Sequence, residues 1–182
     1  MTLLARLAAA AGALTLLATA APAFAVDVEC IWNQLPEARR AQLIEDYRRE
    51  GFAALGKIDI QESELATLGP ACGVTDDTAE DAGFSIVGSW IEEASQIVLT
   101  ESYGVPAGAL PAAWNALPAS ERSAVAVLSV DIVKGRDPES GPLDSAMFKV
   151  VSSLGLPAGD NRAVSHVMAY LLGRGLLDAL DD

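Results

Sequence analysis

The sequence predicts an all-α protein, a six-helix bundle formed by tandem duplication of a three-helix unit. Apolar side chains recur at spacings of three and four residues along most of the chain, which is the pattern of amphipathic helices. A Trp-Asn-x-Leu-Pro motif occurs twice, beginning at Trp32 and at Trp114. Because similarity at a fixed distance indicates a repeated unit, we expect the two halves of the chain to fold alike.

Further matches favour the duplication. The two motifs lie 82 positions apart, and Phe84–Ile91 matches Val164–Leu171 at a distance of 80. The distance changes only within stretches rich in Gly, Pro and Asp, which are typical of loops. We therefore predict one helical domain over residues 26–182, with a first repeat at about 28–103 and a second at about 110–182.

Residues 1–25 have the pattern of a secretory signal peptide. Arg6 precedes a run of 15 predominantly apolar residues, and small residues stand at Ala23 and Ala25, where a signal peptidase reads the chain. The run is shorter than the roughly 20 residues that span a bilayer, and we expect no membrane insertion after the signal is removed. Cleavage near Ala25 would place the mature chain in the periplasm or outside the cell. The alanine-rich signal and an excess of Arg over Lys are typical of a bacterial protein.

In the first repeat, the first helix is predicted to begin near Pro36 with Asn33 as its N-cap, and to end at Gly51. The second helix is predicted over Asp59–Leu68, because its first four residues match a capping box and a glycine follows its last residue.

The third helix of the first repeat has two faces of opposite character. The apolar stripe, which we expect to be buried, comprises Val87, Trp90, Ile91, Ala94 and Val98. The polar stripe, which we expect to face solvent, comprises Ser89, Glu92, Glu93 and Gln96. Solvation therefore explains Glu92 and Glu93 better than a catalytic carboxylate pair does.

In the second repeat, the segment Ser120–Lys134 is rich in β-branched residues and by itself is compatible with a strand. Its counterpart in the first repeat is composed of strong helix formers, so we predict a helix here as well. Its apolar character predicts a central helix that is buried on more than one face. The remaining helices are predicted over Leu143–Leu154 and Asn161–Leu180.

The cysteines indicate the redox compartment of the protein, and the net charge restricts the kind of partner that it can bind. Cys30 and Cys72 form an even pair in an exported chain and are predicted to form a disulfide. Without residues 1–25 the chain has 11 Lys and Arg against 25 Asp and Glu, a net charge of −14. This charge repels phosphate backbones and excludes nucleic acid as a partner, whereas it suits a basic protein.

No catalytic residue, cofactor or metal site is predicted. His166 is the only histidine, and its sequence neighbour Ser165 cannot face it on a helix, so a partly buried helix histidine is the simpler interpretation. One histidine and a paired set of cysteines are too few ligands for a transition metal. The acidic stretch Thr75–Asp81 lacks the alternating ligands of a calcium loop and is explained by helix capping.

Two binding functions follow from the aromatic residues and the charge, and enzyme activity, which His166 or a carboxylate pair would carry, is the third hypothesis. The first is an exported, non-catalytic helical protein that binds another protein in the cell envelope or outside the cell. The alternative is a small apolar-ligand carrier with a pocket between the two repeat halves. The aromatic residues that could line such a pocket, or serve instead as core anchors, are Trp32, Trp90, Trp114 and Tyr170.

Overall fold

The structure is a computed structural model that describes residues 28–57, 66–136 and 141–180. Every regular element in these residues is helical, so the predicted all-α class is confirmed. The predicted signal peptide and its cleavage site near Ala25 lie outside the described residues. Most of the predicted helix Asp59–Leu68 does so too, although residues 66–68 are helical.

The α-helices are numbered here in chain order, with the bounds that they have within the described residues. They are α1 Val28–Gln34, α2 Glu37–Glu50, α3 Ala79–Tyr103, α4 Ala109–Asn115, α5 Ala119–Val133, α6 Gly141–Ser153 and α7 Asn161–Leu180. Short 3-10 helices occupy Gly51–Lys57, Gly69–Cys72 and Asp76–Thr78.

Each Trp-Asn-x-Leu-Pro motif ends one short helix and starts a longer one. Pro36 and Pro118 take the N-cap positions of α2 and α5, with φ/ψ of −53°/135° and −54°/142°. Proline disfavours helical backbone in the residue before it, so α1 and α4 stop at Gln34 and Asn115. The prediction of Asn33 as the N-cap is therefore wrong, because Asn33 lies inside α1.

Helices α3 and α7 form the centre of the described fold, and the contact between them is its most extensive helix–helix contact. Gly88 and Gly173 allow this close approach. A Cβ atom on Gly173 would lie 2.8 Å from the Gly88 carbonyl oxygen, and one on Gly88 would lie 3.0 Å from the Gly173 carbonyl oxygen. The backbones of the two helices therefore touch without intervening side chains.

Apolar side chains pack in two clusters that share the central helices. One cluster surrounds Trp90 and includes residues of α1 and α2, and the other surrounds Trp114 and Tyr170 and includes residues of α5 and α6. The predicted helix at Ser120–Lys134 is present as α5, but it is neither central nor buried on more than one face. Its residues Val125 and Leu128 are buried while Val127 is 64 % exposed, because α6 and α7 leave one side of it uncovered.

The predicted disulfide between Cys30 and Cys72 is present. It joins α1 to the 3-10 helix Gly69–Cys72 and closes a loop with a sequence separation of 42 residues. Within the described residues, no helix combines the length and the apolar character needed to cross a bilayer. The disulfide is compatible with an exported protein.

Candidate functional site

A groove of about 400 Å³ lies between α1, α3 and α7. Its walls combine apolar and charged side chains from helices that are distant in sequence. They are Trp32, Asn33, Ser89, Glu92, Glu93, Gln96, Ile97, Thr100, Glu101, Arg174 and Leu177. We call this cavity the acidic groove, because three of the four charged side chains that line it are glutamates.

The polar stripe of α3 forms one wall of the acidic groove. Ser89, Glu92, Glu93 and Gln96 all face it, since residues three and four apart share one face of a helix. Glu92 and Glu93 are only partly exposed. The expectation that this stripe simply faces solvent is therefore wrong, because α1 and α7 flank it.

Glu93 holds α1 against α3 through a polar contact. The indole N–H of Trp32 donates a hydrogen bond of 2.6 Å to Oε2 of Glu93. The Trp32 side chain is otherwise buried, so its ring packs against apolar side chains. The hydrogen bond of its indole nitrogen fixes the orientation of the ring. The Glu93 carboxylate is thereby positioned at the groove and keeps acceptor capacity for a ligand.

Arg174 connects the acidic groove to the core of the second half of the chain. Its Nε donates to Oδ1 of Asp178 at 2.8 Å, and its guanidinium lies 3.7 Å from Oε2 of Glu92. Asp178 also accepts a 3.0 Å hydrogen bond from the Trp114 indole N–H. Burial alone would lower the pKa of Arg174, but the Glu92 and Asp178 carboxylates raise it above its ordinary value, so Arg174 stays charged.

Tyr170 lies directly behind this network. Burial and, after it, the nearby charge of Glu92 raise the pKa of the Tyr170 hydroxyl far above its ordinary range. Tyr170 therefore stays a neutral phenol and cannot act as a base at physiological pH.

The hydroxyl of Ser89 is a polar group that lacks a partner at the acidic groove. Ser89 is 8 % exposed, and its Oγ has no hydrogen-bond partner in the described part of the chain. A buried hydroxyl without a partner costs free energy of about 1–3 kcal/mol. A ligand that reached Ser89 would recover part of that cost.

The aromatic residues singled out from the sequence do not share one pocket. Trp32 lines the acidic groove, whereas Trp90, Trp114 and Tyr170 are almost fully buried and do not line it. The Trp90 indole N–H donates to the Leu43 carbonyl oxygen at 2.8 Å, which places it in the core of the first half.

His166 and Ser165 do not form a catalytic pair. The Ser165 hydroxyl donates to the Asn161 carbonyl oxygen at 2.8 Å, while Nδ1 of His166 lies 2.9 Å from the Tyr47 hydroxyl. In the described ranges, no group of three or more His, Cys, Asp or Glu side chains is arranged to hold a metal ion. In the acidic stretch at the start of α3, Glu80 forms an ion pair with Lys134 at 2.8 Å.

Three charged residues of the acidic groove and of the network behind it were not singled out from the sequence, namely Glu101, Arg174 and Asp178. The polar stripe on α3 was the one signal that pointed to this place. Comparison with known proteins adds no assignment, since no family model, no curated protein and no solved structure matches this chain.

Proposed function

We propose that this chain is an exported, non-catalytic protein that binds another protein in the cell envelope or outside the cell, and that the acidic groove receives a basic segment of that partner. The observation that carries the proposal is the set of three glutamates against one arginine around a single groove. A Lys or Arg side chain of the partner would pair with carboxylates that are already held in position.

The electrostatic field of the whole chain favours the same class of partner. The net charge of −14 after residues 1–25 attracts a basic surface and accelerates its encounter with the groove. Within the groove, Glu101 is paired with Arg48 at 2.7 Å and Glu92 lies near Arg174. Glu93 accepts the Trp32 hydrogen bond and forms no ion pair with a residue that the structure describes, so its negative charge is available to a partner.

The walls of the groove suit an aliphatic stem with a charged end. Ile97 and Leu177 provide apolar surface, and the edge of Trp32 completes it. A Lys or Arg side chain could lay its methylene groups against these residues while its charged head reaches Glu93. The hydroxyl of Ser89 would then accept a hydrogen bond from the same head group.

The test is a titration of the oxidised protein with a fluorescently labelled oligolysine peptide. The double variant Glu92→Gln and Glu93→Gln should weaken binding about fivefold or more, because it removes both central carboxylates. A glutamine amide oxygen at position 93 can still accept the Trp32 hydrogen bond, so this contact between α1 and α3 is retained. The matched control is Asp76→Asn with Asp77→Asn, which changes the net charge equally at two exposed positions outside the groove.

Equal loss in the two double variants would mean that the peptide responds to net charge alone, and the proposal would then be abandoned. Absence of binding by the unaltered protein at both low and moderate salt would have the same consequence.

A second candidate is the small apolar-ligand carrier with a pocket between the two halves. The acidic groove favours it in one respect, since α3 belongs to the first half and α7 to the second, and apolar side chains of both face the cavity. Saturable binding of an apolar fluorescent probe, abolished by Ile97→Asp, would support a carrier. Binding that the variant leaves unchanged would count against it.

We propose export to the periplasm or beyond on the basis of the signal-like residues 1–25 and the Cys30–Cys72 disulfide. Edman sequencing of the protein recovered from the host envelope should begin at Val26. A retained Met1 would argue against cleavage.

We also propose that the described helices derive from a duplicated three-helix unit that forms a six-helix bundle, with short helices added at the motif. Support comes from the paired geometry of Pro36 and Pro118 and from the places of Trp32 and Trp114 near the ends of seven-residue helices. The leucines that follow three residues after these tryptophans, Leu35 and Leu117, are likewise both buried.

A further inference from the structure

A second pocket of about 320 Å³ has no lining residue in common with the acidic groove. It is bounded by the end of α2, the 3-10 helix that follows it and the first turns of α7. The side chains that matter for its chemistry are Tyr47, Arg48, Arg49, Arg162 and His166, and the apolar wall includes Phe52. We call it the basic pocket.

The basic pocket has an unusual charge for this protein. Arg48, Arg49 and Arg162 line it together with one acidic residue, Glu50. The local excess of positive charge stands against a net charge of −14 for residues 26–182, so it is not a consequence of average composition. Guanidinium groups are suited to carboxylate and phosphate oxygens, because their N–H groups form a planar fork.

The three arginines differ in whether they form ion pairs within the protein. Arg48 donates to both carboxylate oxygens of Glu101, at 2.7 and 2.9 Å, and Arg49 pairs with Asp46. Arg162 forms no ion pair within residues 28–57, 66–136 and 141–180, although Asp160 precedes it by two positions. Its guanidinium is the one of the three that is available to an external anion.

His166 lines the pocket and has a buried polar atom without a partner. Its side chain is 5 % exposed, and Nδ1 is occupied by the Tyr47 hydroxyl at 2.9 Å. The other ring nitrogen, Nε2, is buried and has no hydrogen-bond partner in the described residues. Such an orphaned group is costly in a folded protein and therefore calls for an explanation.

We propose that the basic pocket binds a small oxyanion, a carboxylate or a phosphate, through Nε2–H of His166 and the guanidinium of Arg162. The pocket is at the small end of the range for ligand sites, so the anion belongs to a small molecule. Phe52 and the Tyr47 ring provide apolar surface for the body of such a molecule.

The Tyr47–His166 contact prepares the ring for this role. When the Tyr47 hydroxyl donates to Nδ1, the single ring proton of a neutral imidazole is on Nε2, which then donates to the anion. Burial first, and then the charge of Arg162, lower the pKa of His166, so the ring is neutral at pH 7 before the anion arrives.

The experiment is a titration of the oxidised protein with benzoate and, separately, with inorganic phosphate, followed by the ¹⁵N resonances of the imidazole. His166 is the only histidine, so both imidazole signals belong to this residue, and their couplings to the two ring C–H protons distinguish Nε2 from Nδ1. We expect a saturable change at Nε2 with one of the two probes at millimolar concentration. Benzoate identifies a carboxylate site and phosphate identifies a phosphate site.

Variants separate a built site from general attraction of anions. Arg162→Gln should weaken binding about tenfold, because a charge-assisted hydrogen bond is lost. His166→Phe has no imidazole, so its binding is followed by isothermal titration calorimetry, and it should be weakened to a similar extent. His166→Gln, measured in the same way, should restore part of the binding, since a glutamine amide can place an N–H near the position of Nε2. The control is Arg136→Gln, which removes one positive charge at an exposed position outside this pocket.

The proposal is overturned if neither probe changes the Nε2 resonance at millimolar concentration, or if Arg162→Gln and Arg136→Gln weaken binding equally. Because Arg162 is exposed, its substitution leaves the fold intact, and loss of binding in this variant cannot be attributed to unfolding. The acidic groove shares no side chain with these two anion ligands, so failure here leaves the proposed function untouched.

Discussion

At the scale of single residues, the indole nitrogens show how polar atoms are satisfied in a small helical core. Trp32, Trp90 and Trp114 each donate their N–H to an acceptor that is distant in sequence, namely a Glu93 oxygen, the Leu43 carbonyl and an Asp178 oxygen. A buried N–H without an acceptor costs free energy. The position of each tryptophan is therefore set both by the packing of its ring and by the direction of its N–H hydrogen bond. Only Trp32 combines this role with a place at the acidic groove.

His166 predicts a pH dependence of stability. Its pKa is lowered in the folded state by burial, then by Arg162, with Asp160 opposing in part. Below the ordinary histidine pKa of about 6.5, the unfolded chain binds a proton that the folded chain does not, so stability falls as pH decreases through that range. Above that range the imidazole is neutral in both states and makes no pH-dependent contribution.

The measurement is urea unfolding of the protein and of His166→Gln between about pH 7.5 and about pH 5. We expect the free energy of unfolding of the unaltered protein to fall more steeply than that of the variant over the acidic half of this range. Parallel profiles would show that carboxylates alone cause the acid sensitivity.

At the scale of elements, proline and glycine determine where helices start and how closely they approach. Pro36 and Pro118 start α2 and α5 because their fixed φ suits the residue that precedes a helix. Gly51, with φ of 60°, ends α2, as the sequence predicted. Gly88 and Gly173 have a different role, since they are helical and their lack of a Cβ brings α3 and α7 into contact.

The contact between α3 and α7 predicts that Gly173→Ala destabilises the protein by about 1–3 kcal/mol. The new methyl group would lie 2.8 Å from the Gly88 carbonyl oxygen and 2.9 Å from the Glu92 nitrogen, both backbone atoms that cannot move without shifting a helix. Thermal and urea unfolding would measure the loss.

The matched control for this substitution is Gly83→Ala on α3, where a Cβ meets nothing within 4 Å. It should leave the protein as stable or stabilise it by up to about 1 kcal/mol, because alanine has the higher helix propensity. If Gly173→Ala behaved like the control, the backbone contact between the two helices would not be as close as described.

At the scale of the whole molecule, the disulfide and the negative net charge have opposite effects on the stability of the folded chain. The net charge of −14 for residues 26–182 destabilises a compact chain through repulsion among the carboxylates. The Cys30–Cys72 disulfide restrains the unfolded chain and holds α1, which carries Trp32, beside the segment before α3.

Reduction of the disulfide should therefore lower the free energy of unfolding by about 2–4 kcal/mol, since the loop is long. Intact mass under oxidising conditions should show the loss of two protons, and unfolding with and without reductant should show the difference in stability. The double variant Cys30→Ala with Cys72→Ala serves as control, because reductant should not change its stability. Equal stability of oxidised and reduced protein would remove this role from the disulfide.

The sequence by itself determined the helical class, the helix starts at the two prolines and the pairing of the cysteines. Each of these depends on local chemistry: the period of apolar residues, the fixed φ of proline, and the redox state of an isolated pair of thiols. The helix at residues 119–133 was predicted correctly only by comparison with the first half of the chain, because β-branched residues alone left strand and helix open.

Only the tertiary structure decided what the polar residues do. Periodicity identifies the polar face of α3, but it cannot say whether water or α1 and α7 lie beside it. The contacts that build the two pockets join residues 61 positions apart for Trp32 and Glu93 and 119 positions apart for Tyr47 and His166. Such contacts depend on how the helices pack, and packing is set by the glycine contact and the core volumes of the whole chain, which no local pattern contains.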